Sequence, residues 1–303
     1  MNKSLLRITD LTKKEIDSLL KRTKLLKERS EKGIPYTPLL GKTLCLVFEK
    51  ASTRTRLSFE VAMRQLGGSS IFISQRESQI GRGEPIKDTA RVLSRYVDGV
   101  VIRTYSQESL DEFAQFSSVP VINGLTDLEH PCQILTDIYT VFEKKGGFQD
   151  LKFAWIGDGN NMANSWVAAA SKLNLNLVLA CPKGYEPDKE ILKQALNKPG
   201  SRITITSDPF EAAKGADVLN TDVWTSMGQE KENAVRLKAF KDYQLNDMLL
   251  AKAKKDCLVM HCLPAHRGEE ITDDILEGDN SVVFDQAENR LHMQKAILEW
   301  LLA

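Results

Sequence analysis

The sequence has few cysteines, no long apolar run and no excess of charge, and each absence excludes a class of protein. Its five cysteines are odd in number, scattered and without a Cys-x-x-Cys pair, so they predict reduced thiols in a cytoplasm and no disulfide framework. No apolar run approaches the roughly 18 to 20 residues of a membrane span, and the N-terminal residues lack the apolar core of a signal peptide. With 41 basic and 41 acidic residues, no global field recruits nucleic acid or an anionic membrane.

Length and patterning indicate two α/β domains. The 303 residues suffice for two domains of ordinary size, and a hydrophobic content of 42% suffices for packed cores. Short apolar runs such as 43–48 and 99–102 alternate with helical patterns, which predicts parallel sheets covered on both sides. The segment 144–147 is the best candidate for a linker, since a second alternation of strand and helix begins at Lys152.

The most informative stretch joins a predicted strand to a predicted helix. The strand 43–48 leads to a loop rich in hydroxyls and cations, Ser52 to Arg56, and apolar residues at helical spacing follow from Leu57. Backbone N–H groups and the dipole at a helix start favour an anion, and arginine guanidinium groups match phosphate oxygens. The loop therefore predicts a phosphate site, although a capped helix with solvated arginines has the same pattern.

A further predicted strand end and a predicted helix start carry polar side chains. Arg103 ends a buried strand, where ligands of open parallel sheets gather, and a surface ion pair is the alternative interpretation. His130 and Gln133 lie one turn apart at the start of a helix that opens with Pro131, so together they can hold a small polar group. A capping histidine beside a solvated glutamine is equally compatible with that pattern.

The polar loop 78–85 is interpreted as filler from its pattern alone.

The second half of the chain begins like a dinucleotide-binding fold but does not complete its fingerprint. Gly157 and Gly159 follow a predicted strand, but the third glycine is missing. The next strand also ends without the acid that would bind a ribose hydroxyl. These departures argue against a nicotinamide cofactor and leave Asn161 as a polar group at a helix start.

Two later segments add polar groups. A strand delivers Asp222 to its carboxyl end, and the segment 224–230 predicts either a lid over a ligand or a surface loop. Residues 261–267 include two histidines and a cysteine, but no second cluster completes a set of four zinc ligands, so no metal site is predicted. The prediction ends with a strand at 282–284, a turn at 287–290 and a closing helix at 291–302.

Four of these segments, taken in order, resemble motifs of the aspartate/ornithine carbamoyltransferase family, and of its ornithine-specific members in particular. They are Ser52-Thr53-Arg54-Thr55-Arg56, His130-Pro131-Cys132-Gln133, Asp222 with Ser226-Met227-Gly228, and His261-Cys262-Leu263-Pro264. The likeness covers nearly the whole chain, and four motifs in this order and spacing are very specific. It implies an α/β protein with two doubly wound parallel-sheet domains: 1–146, to which the C-terminal helix 288–303 returns, and 147–287.

The resemblance also implies a role for each matching residue. Arg54, Arg103, His130 and Cys262 are expected to be catalytic. The carbamoyl phosphate site is expected to comprise Ser52, Thr53, Arg54, Thr55, Gln79, Arg103, His130, Pro131, Cys132, Gln133, Cys262, Leu263 and Arg290. The expected ornithine ligands are Asn161, Asp222, Ser226 and Met227. Gln79 matches a residue that family members lend to a neighbouring subunit, which gives the loop 78–85 a function and implies a homotrimer or an assembly of trimers.

The implied reaction transfers the carbamoyl group of carbamoyl phosphate to the δ-amine of L-ornithine, giving L-citrulline and phosphate, in arginine biosynthesis or in its reverse. No cofactor and no metal are expected. Asp222 suits an α-ammonium group, whereas aspartate, the substrate of the sibling enzymes, would require extra cations in the second domain. Two other classes are alternatives: a catalytically silent anion-binding protein, which need not keep His130, Cys262 and Asp222 together, and a dehydrogenase, which the incomplete fingerprint opposes.

Overall fold

The computed structural model describes residues 3–74, 83–226, 228 and 230–303. The chain divides into two compact units, which we call unit 1 (Met1–Tyr139 with Asn289–Ala303) and unit 2 (Thr140–Glu288). Each unit contains one parallel sheet, which confirms the predicted α/β class with two parallel-sheet domains. Among the described residues, no helix is both long enough and apolar enough to cross a membrane.

Unit 1 is built on a four-stranded parallel sheet with the order β2-β1-β3-β4. Its strands are β1 (Thr43–Phe48), β2 (Ser69–Ser74), β3 (Gly99–Arg103) and β4 (Val121–Leu125). Its helices are α1 (Lys13–Glu31), α2 (Thr53–Gln65), α3 (Ile86–Leu93), α4 (Gln107–Phe116), the first part of α5 (Pro131–Lys145) and most of α12 (Val283–Leu302). Because β1, β3 and β4 are parallel neighbours, their carboxyl ends meet at one edge of this sheet.

The N-terminal segment covers the outer side of β4. The main-chain N–H of Leu5 donates to the Val121 carbonyl at 2.9 Å, and that of Asn123 donates to the Leu5 carbonyl at 2.8 Å. The Asn123 side chain adds a bond from Nδ2 to the Leu6 carbonyl at 2.8 Å. These bonds pair main-chain groups that an edge strand would otherwise expose, and they anchor the strand that leads to His130.

The C-terminal region differs from the prediction. The predicted strand at 282–284 and the predicted turn at 287–290 are both wrong, because one continuous helix, α12, begins at Val283. A run of three apolar residues is too short to distinguish a strand from a buried helix turn by pattern alone.

The later part of α12 packs on unit 1. Lys27 of α1 donates from Nζ to Asn289 Oδ1 at 2.9 Å, and Arg22 of the same helix pairs with Glu299 at 2.5 Å. A Cβ atom added at Gly99, the first residue of β3, would lie 2.8 Å from a methyl carbon of Leu302. The C-terminal helix therefore returns to the first domain, as expected from the resemblance.

Unit 2 is built on a five-stranded parallel sheet with the order β7-β6-β5-β8-β9. Its strands are β5 (Lys152–Ile156), β6 (Asn176–Ala180), β7 (Ile203–Thr206), β8 (Val218–Thr221) and β9 (Leu258–His261). Its helices are α6 (Asn161–Leu173), α7 (Lys189–Leu196), α8 (Pro209–Ala213), α9 (Asn233–Phe240), α10 (Asp247–Leu250) and α11 (Asp273–Glu277). The edge strand β7 was not predicted, although its alternation of isoleucine and threonine, both β-branched, is a strand signal.

The glycines that resembled part of a dinucleotide fingerprint have a packing role in unit 2. A Cβ atom added at Gly159 would lie 2.2 Å from the carbonyl carbon of Glu186 and 2.3 Å from the nitrogen of Pro187. The Gly159 N–H donates to the Tyr185 carbonyl at 2.8 Å. Only glycine lets these two backbone segments approach so closely.

Candidate active site

Arg103 lies where three strands of unit 1 end together. In the sheet, Arg103 is opposite Phe48 on β1 and opposite Leu125 on β4, and the pairing of β3 with β4 shifts register beside it. A Cβ atom added at Gly124 would lie 3.1 Å from the Ile102 carbonyl oxygen, so glycine lets β4 fit against this irregularity. The Arg103 side chain is buried, and the alternative of a surface ion pair is therefore wrong.

Charged side chains tie the loops after these strands together. The Glu49 N–H donates to the Arg103 carbonyl at 2.8 Å, and the Thr104 hydroxyl donates to the Glu49 carboxylate. Lys50 is buried and pairs with Asp127, which follows β4. Sequence reasoning gave no role to Glu49 or Lys50, although two charged residues directly after a buried strand were a signal.

The loop after β1 presents the start of α2. Ser52 is the N-cap residue, and its Oγ accepts a bond from the Thr55 N–H at 3.2 Å. Thr53 and Arg54 form the first turn, and both side chains are exposed. Because a helix leaves its first N–H groups without intrahelical acceptors, this turn offers main-chain donors beside the Arg54 guanidinium group.

A buried hydrogen-bond network joins α2, α5 and α12 within unit 1. Arg290 donates from one guanidinium nitrogen to Thr55 Oγ1 at 2.8 Å and from another to Gln133 Oε1. Gln133 Nε2 in turn donates to Asp137 Oδ1 at 2.7 Å. All four residues are at most 5% exposed. Because Thr55 Oγ1 accepts from Arg290, its own O–H can donate elsewhere. Because Gln133 is buried, the interpretation of it as a solvated glutamine is wrong.

His130 begins α5 beside this network. Its carbonyl accepts from the Gln133 N–H at 3.1 Å and from the Ile134 N–H at 3.2 Å. Burial lowers the pKa of the imidazole well below its ordinary value of 6.5, and the Arg290 and Arg103 guanidinium groups lower it further. The imidazole is therefore neutral at pH 7, and it lies in a positive field that favours an anion.

The two residues after His130 contribute packing. Pro131 is buried at the first helical position. Cys132 Sγ contacts the Asn123 carbonyl at 3.4 Å, and burial raises the pKa of this thiol to about 12. The Cys132 side chain is thus an inert part of the core, and any role in the site falls to its main chain.

In unit 2, the carboxyl end of β8 delivers a buried acid. The Asp222 side chain is 8% exposed. Its Oδ2 accepts from Asn160 Nδ2 at 2.8 Å, and its Oδ1 accepts from Cys262 Sγ at 3.1 Å. Asn160 also caps α6, where its Oδ1 accepts from the Met162 N–H at 2.9 Å, so the orientation of its amide is determined. The predicted Asn161 is the first residue of α6 and is half-buried.

Sequence reasoning missed Asn160, which lies one residue before the predicted ligand. An asparagine directly before a helix is a capping signal, so its position was available from the sequence. Its contact with Asp222 was not, because the two residues lie 62 positions apart.

The segment after Asp222 is held in place from α9. Arg236 donates from Nε to the Trp224 carbonyl at 2.5 Å and pairs with Asp158, which follows β5. Its guanidinium group lies 4.9 Å from the ring centre of Tyr185. Burial raises the pKa of Asp158 to about 6, against the opposing effect of Arg236. The start of the predicted lid is therefore fixed to the sheet of unit 2.

The remaining predicted ligands are only partly covered by the structure. Ser226 is half-buried and follows Trp224 by two residues. Met227 and Gln79 lie outside the described residues. After β9, Cys262 and Leu263 are both half-buried, and Leu263 has a φ angle of 56°.

The two units thus carry opposite chemistry. The site residues of unit 1 supply N–H and O–H donors together with guanidinium groups, which suits a phosphate and a carbonyl oxygen that gains negative charge. Those of unit 2 include a buried carboxylate, which suits an ammonium group.

Two family models match the chain. One is described as the carbamoyl-P binding domain of aspartate/ornithine carbamoyltransferase and covers residues 3–143. The other is described as the Asp/Orn binding domain of the same family and covers residues 149–301.

Individual relatives match over the full length. The ornithine carbamoyltransferase of Geobacter metallireducens is 60% identical over 302 residues, 100% of both chains. The structure of the enzyme of that name from Pyrococcus furiosus is 49% identical, with a TM-score of 0.95 over 99% of this chain and 97% of that one. The structure of the anabolic ornithine carbamoyltransferase from Campylobacter jejuni is 42% identical, with a TM-score of 0.92 over 99% and 98%.

Proposed function

The chain belongs to the aspartate/ornithine carbamoyltransferase family, and we propose that its two units divide the two substrates between them. Its activity is that of an ornithine carbamoyltransferase, which transfers a carbamoyl group from carbamoyl phosphate to the δ-amine of L-ornithine. Unit 1 holds carbamoyl phosphate and unit 2 holds ornithine. The observation that carries this assignment is the contrast between the donor network of Thr55, Gln133 and Arg290 and the buried carboxylate of Asp222.

The phosphate group binds at the start of α2. Its oxygens accept from the first main-chain N–H groups of the helix and from the hydroxyls of Ser52 and Thr53. Arg54 neutralises their charge, and its exposure in the described structure leaves it accessible to a ligand from solvent. Phosphate held in this way is a better leaving group, because the charge that it gains is already compensated.

The carbamoyl oxygen is held by Arg103, Thr55 and His130. As the neutral δ-amine attacks the carbonyl carbon, a C–N bond forms and the C=O electron pair moves onto oxygen. The three side chains donate to that oxygen while its charge develops. When the tetrahedral intermediate collapses, the bond from carbon to the phosphate oxygen breaks, and the amine proton leaves with the phosphate or to water.

Neutrality of His130 matters for this arrangement. Burial, reinforced by the cationic groups Arg290 and Arg103, lowers the pKa of the imidazole and keeps it neutral, so it donates through its one N–H and does not release a proton to the product. Gln133, whose amide is oriented by Arg290 and Asp137, holds the carbamoyl end.

Ornithine is gripped by its α-amino acid end in unit 2. The Asp222 carboxylate pairs with the α-ammonium group of ornithine. In this pair the ammonium group replaces the Cys262 thiol as the donor to Asp222. Asn161, Ser226 and Met227 complete the ligand set that we assign. A carboxylate at this position also selects against aspartate, because the α-amine is the only nucleophile of aspartate and pairing with Asp222 would keep that amine protonated.

We further propose a homotrimer in which Gln79 of one subunit serves the site of another. Supporting this, the exposed face of α2 and the edge strand β2 carries large apolar side chains, with Leu57, Val61 and Ile71 each more than a third exposed. An exposed apolar patch of this kind typically marks a protein interface. The solution mass of the purified protein and of Leu57→Glu tests it, since the variant is expected to dissociate to a smaller species.

The physiological setting that we propose is arginine biosynthesis in the cytoplasm. The Campylobacter jejuni structure, which is similar over nearly the full length, is described as anabolic. Growth of an arginine auxotroph that lacks this activity tests the proposal, since the gene should restore growth without added citrulline.

The deciding experiment supplies purified protein with carbamoyl phosphate and either ornithine or aspartate. We expect citrulline and phosphate in equal amounts with ornithine, and turnover at least about 100-fold lower with aspartate, because a mispaired buried charge costs several kcal/mol. Comparable turnover of aspartate would overturn the assignment of Asp222, and phosphate release without citrulline would overturn the assigned chemistry.

A further inference from the structure

A buried histidine and glutamate in unit 2 have no part in the chemistry described above. His261 ends β9, and Glu270 lies in the loop that follows; neither side chain is accessible to solvent. His261 Nε2 and Glu270 Oε1 are 3.0 Å apart. Two buried polar side chains in such contact are costly to assemble, and a functional or positioning role accounts for their retention in the core.

The hydrogen bonds of His261 determine its tautomer. Its Nδ1 lies 2.9 Å from the Leu263 main-chain nitrogen, whose N–H can only donate. Nδ1 therefore accepts and carries no proton, so the proton is on Nε2 and is donated to Glu270. The imidazole is thus neutral and held on both sides.

Glu270 also holds the far end of the same turn. Its Oε1 accepts from the His266 main-chain N–H at 2.7 Å as well as from His261. The turn between these two anchors includes Leu263, whose φ of 56° is rarely adopted by a branched residue outside a supporting environment. The bond from the Leu263 N–H to His261 supplies that support.

The turn carries the thiol that contacts the proposed ornithine ligand. Cys262 follows His261 directly, and its Sγ lies 3.1 Å from Asp222 Oδ1. Any shift of the turn therefore moves the thiol relative to the carboxylate.

We infer that His261 and Glu270 are positioning residues that set the shape of the 262–266 turn and thereby the environment of Asp222. The inference rests on the proposed function of Asp222 as the partner of the ornithine α-ammonium group. It assigns neither residue a contact with substrate.

The pair also bears on metal binding. Potential ligand atoms of Asp222, His261 and Cys262 lie within 4.8 Å of one another. Both ring nitrogens of His261 are already engaged, however, so ligation of a metal would require breaking its bond to Leu263 or to Glu270. A role for His261 in positioning the turn leaves its bonds to Leu263 and Glu270 intact.

Two substitutions separate the two bonds of the imidazole. The amide of His261→Asn lies near the position of Nδ1 and can accept from Leu263, whereas that of His261→Gln reaches toward Nε2 and can donate only to Glu270. We expect the KM for ornithine to rise about tenfold in His261→Gln, where the Leu263 N–H loses its acceptor, and less than about threefold in His261→Asn, where that bond is kept and Glu270 still accepts from the His266 N–H. The KM for carbamoyl phosphate should rise by a clearly smaller factor in both, because Cys262 and Leu263 are also expected at that site whereas the donors of unit 1 are unchanged. His266→Gln, an exposed histidine of the same turn, is the matched control and should leave both KM values unchanged.

Alkylation by iodoacetamide gives a second measurement. Cys262 is half-buried, whereas the other four cysteines are buried, so the rate reports on Cys262. We expect faster alkylation in His261→Gln than in the wild type and an unchanged rate in His266→Gln. Equal KM values for ornithine in the two His261 variants, parallel rises for both substrates, or an unchanged alkylation rate in His261→Gln would overturn the inference.

A measurement on the unaltered protein covers the case in which these variants do not fold. The chain has four histidines, and ¹⁵N-histidine NMR distinguishes their tautomers. We expect His261 to be neutral, protonated on Nε2 and slow to exchange that proton; the Nδ1–H tautomer or a protonated ring at pH 7 would overturn the inference. Citrulline formation by the wild type reports separately on the proposed function, so either claim can fail without the other.

Discussion

The site proposed in unit 1 and the site proposed in unit 2 differ in how completely buried hydrogen bonds within each unit hold their side chains. In unit 1, Thr55, Gln133, Asp137 and Arg290 form a continuous buried network, and His130 is buried beside it. In unit 2, the buried acid Asp222 has as its hydrogen-bond partners two half-buried side chains, Asn160 and Cys262.

The difference follows from what each substrate demands. Charge that develops in a transition state is stabilised best by donors that are already fixed, because reorganising them during the reaction costs free energy. An amino acid that only has to be held requires one charge partner and a complementary surface. On the proposed assignment, unit 1 carries the preorganised electrostatics, and the charge specificity of unit 2 depends on the Asp222 carboxylate.

The largest expected effect is on that carboxylate. Asp222→Asn should lower kcat/KM for ornithine on the order of 10³-fold, about 4 kcal/mol, because the α-ammonium group loses its charge partner. Binding of carbamoyl phosphate, measured by calorimetric titration, should change less than about twofold. Asp208→Asn, which keeps a capping side chain at the exposed start of α8, is the control. Equal loss for both substrates would show that the units do not divide them.

A smaller effect is expected on the stability of unit 1. Burial raises the pKa of Glu129 to about 7, above its ordinary 4.5, although its Oε2 accepts from the Ile8 N–H at 3.0 Å. The folded state therefore binds the Glu129 proton more tightly than the unfolded state does. Protonation of Glu129 contributes fully to the free energy of unfolding below pH 4.5, and this contribution is lost as pH rises through 7.

Glu129→Gln removes the group whose deprotonation lowers the stability, and its amide oxygen still accepts from the Ile8 N–H. The variant should be more stable than the wild type by up to about 3 kcal/mol at pH 8.5, seen as a Tm higher by several degrees, and equal to it near pH 4.5. Protonation of His130 lowers the stability of both proteins as pH falls below 6.5, so this effect cancels in the difference between their Tm values. A Tm difference that does not depend on pH would contradict the burial argument.

The network itself is tested by an isosteric change. Thr55→Val keeps the volume but removes both the acceptor for Arg290 and the hydroxyl that we assign to the carbamoyl oxygen. We expect kcat to fall about 100-fold, or about 2.7 kcal/mol, as for the loss of one oxyanion donor. Thr55→Ser retains the hydroxyl and should recover most of the activity. Full kcat in the valine variant would mean that unit 1 does not supply this donor.

The smallest effect per experimental step is that of one pH unit. The attacking amine has an ordinary pKa near 10 and must lose its proton, so kcat/KM for ornithine should rise about tenfold per pH unit between pH 6.5 and 8.5. His130 does not disturb this slope, because its pKa lies well below the range. A kcat/KM for ornithine that is flat from pH 6.5 to 8.5 would contradict attack by the neutral amine as the limiting step.

Local features of the sites proposed in the two units could be predicted from the sequence, because they depend on neighbours in the chain. A hydroxyl before a helix, as at Ser52, and a proline at the first helical position, as at Pro131, have the same meaning in any fold. Arg290 could not be placed in this way. Its pattern was interpreted as a turn, whereas packing of α12 on unit 1 makes it helical and brings it to Thr55, 235 residues earlier.

The sequence by itself therefore determined the fold class, the strand ends and the motifs, since these follow from periodicity and from short-range backbone chemistry. Only the tertiary structure decided that Phe48, Arg103 and Leu125 are neighbours, because strand order is a property of the assembled sheet. It also decided which polar groups are buried. Burial is what makes His130 neutral and Cys132 inert, and desolvation of a side chain depends on residues that are distant in the sequence.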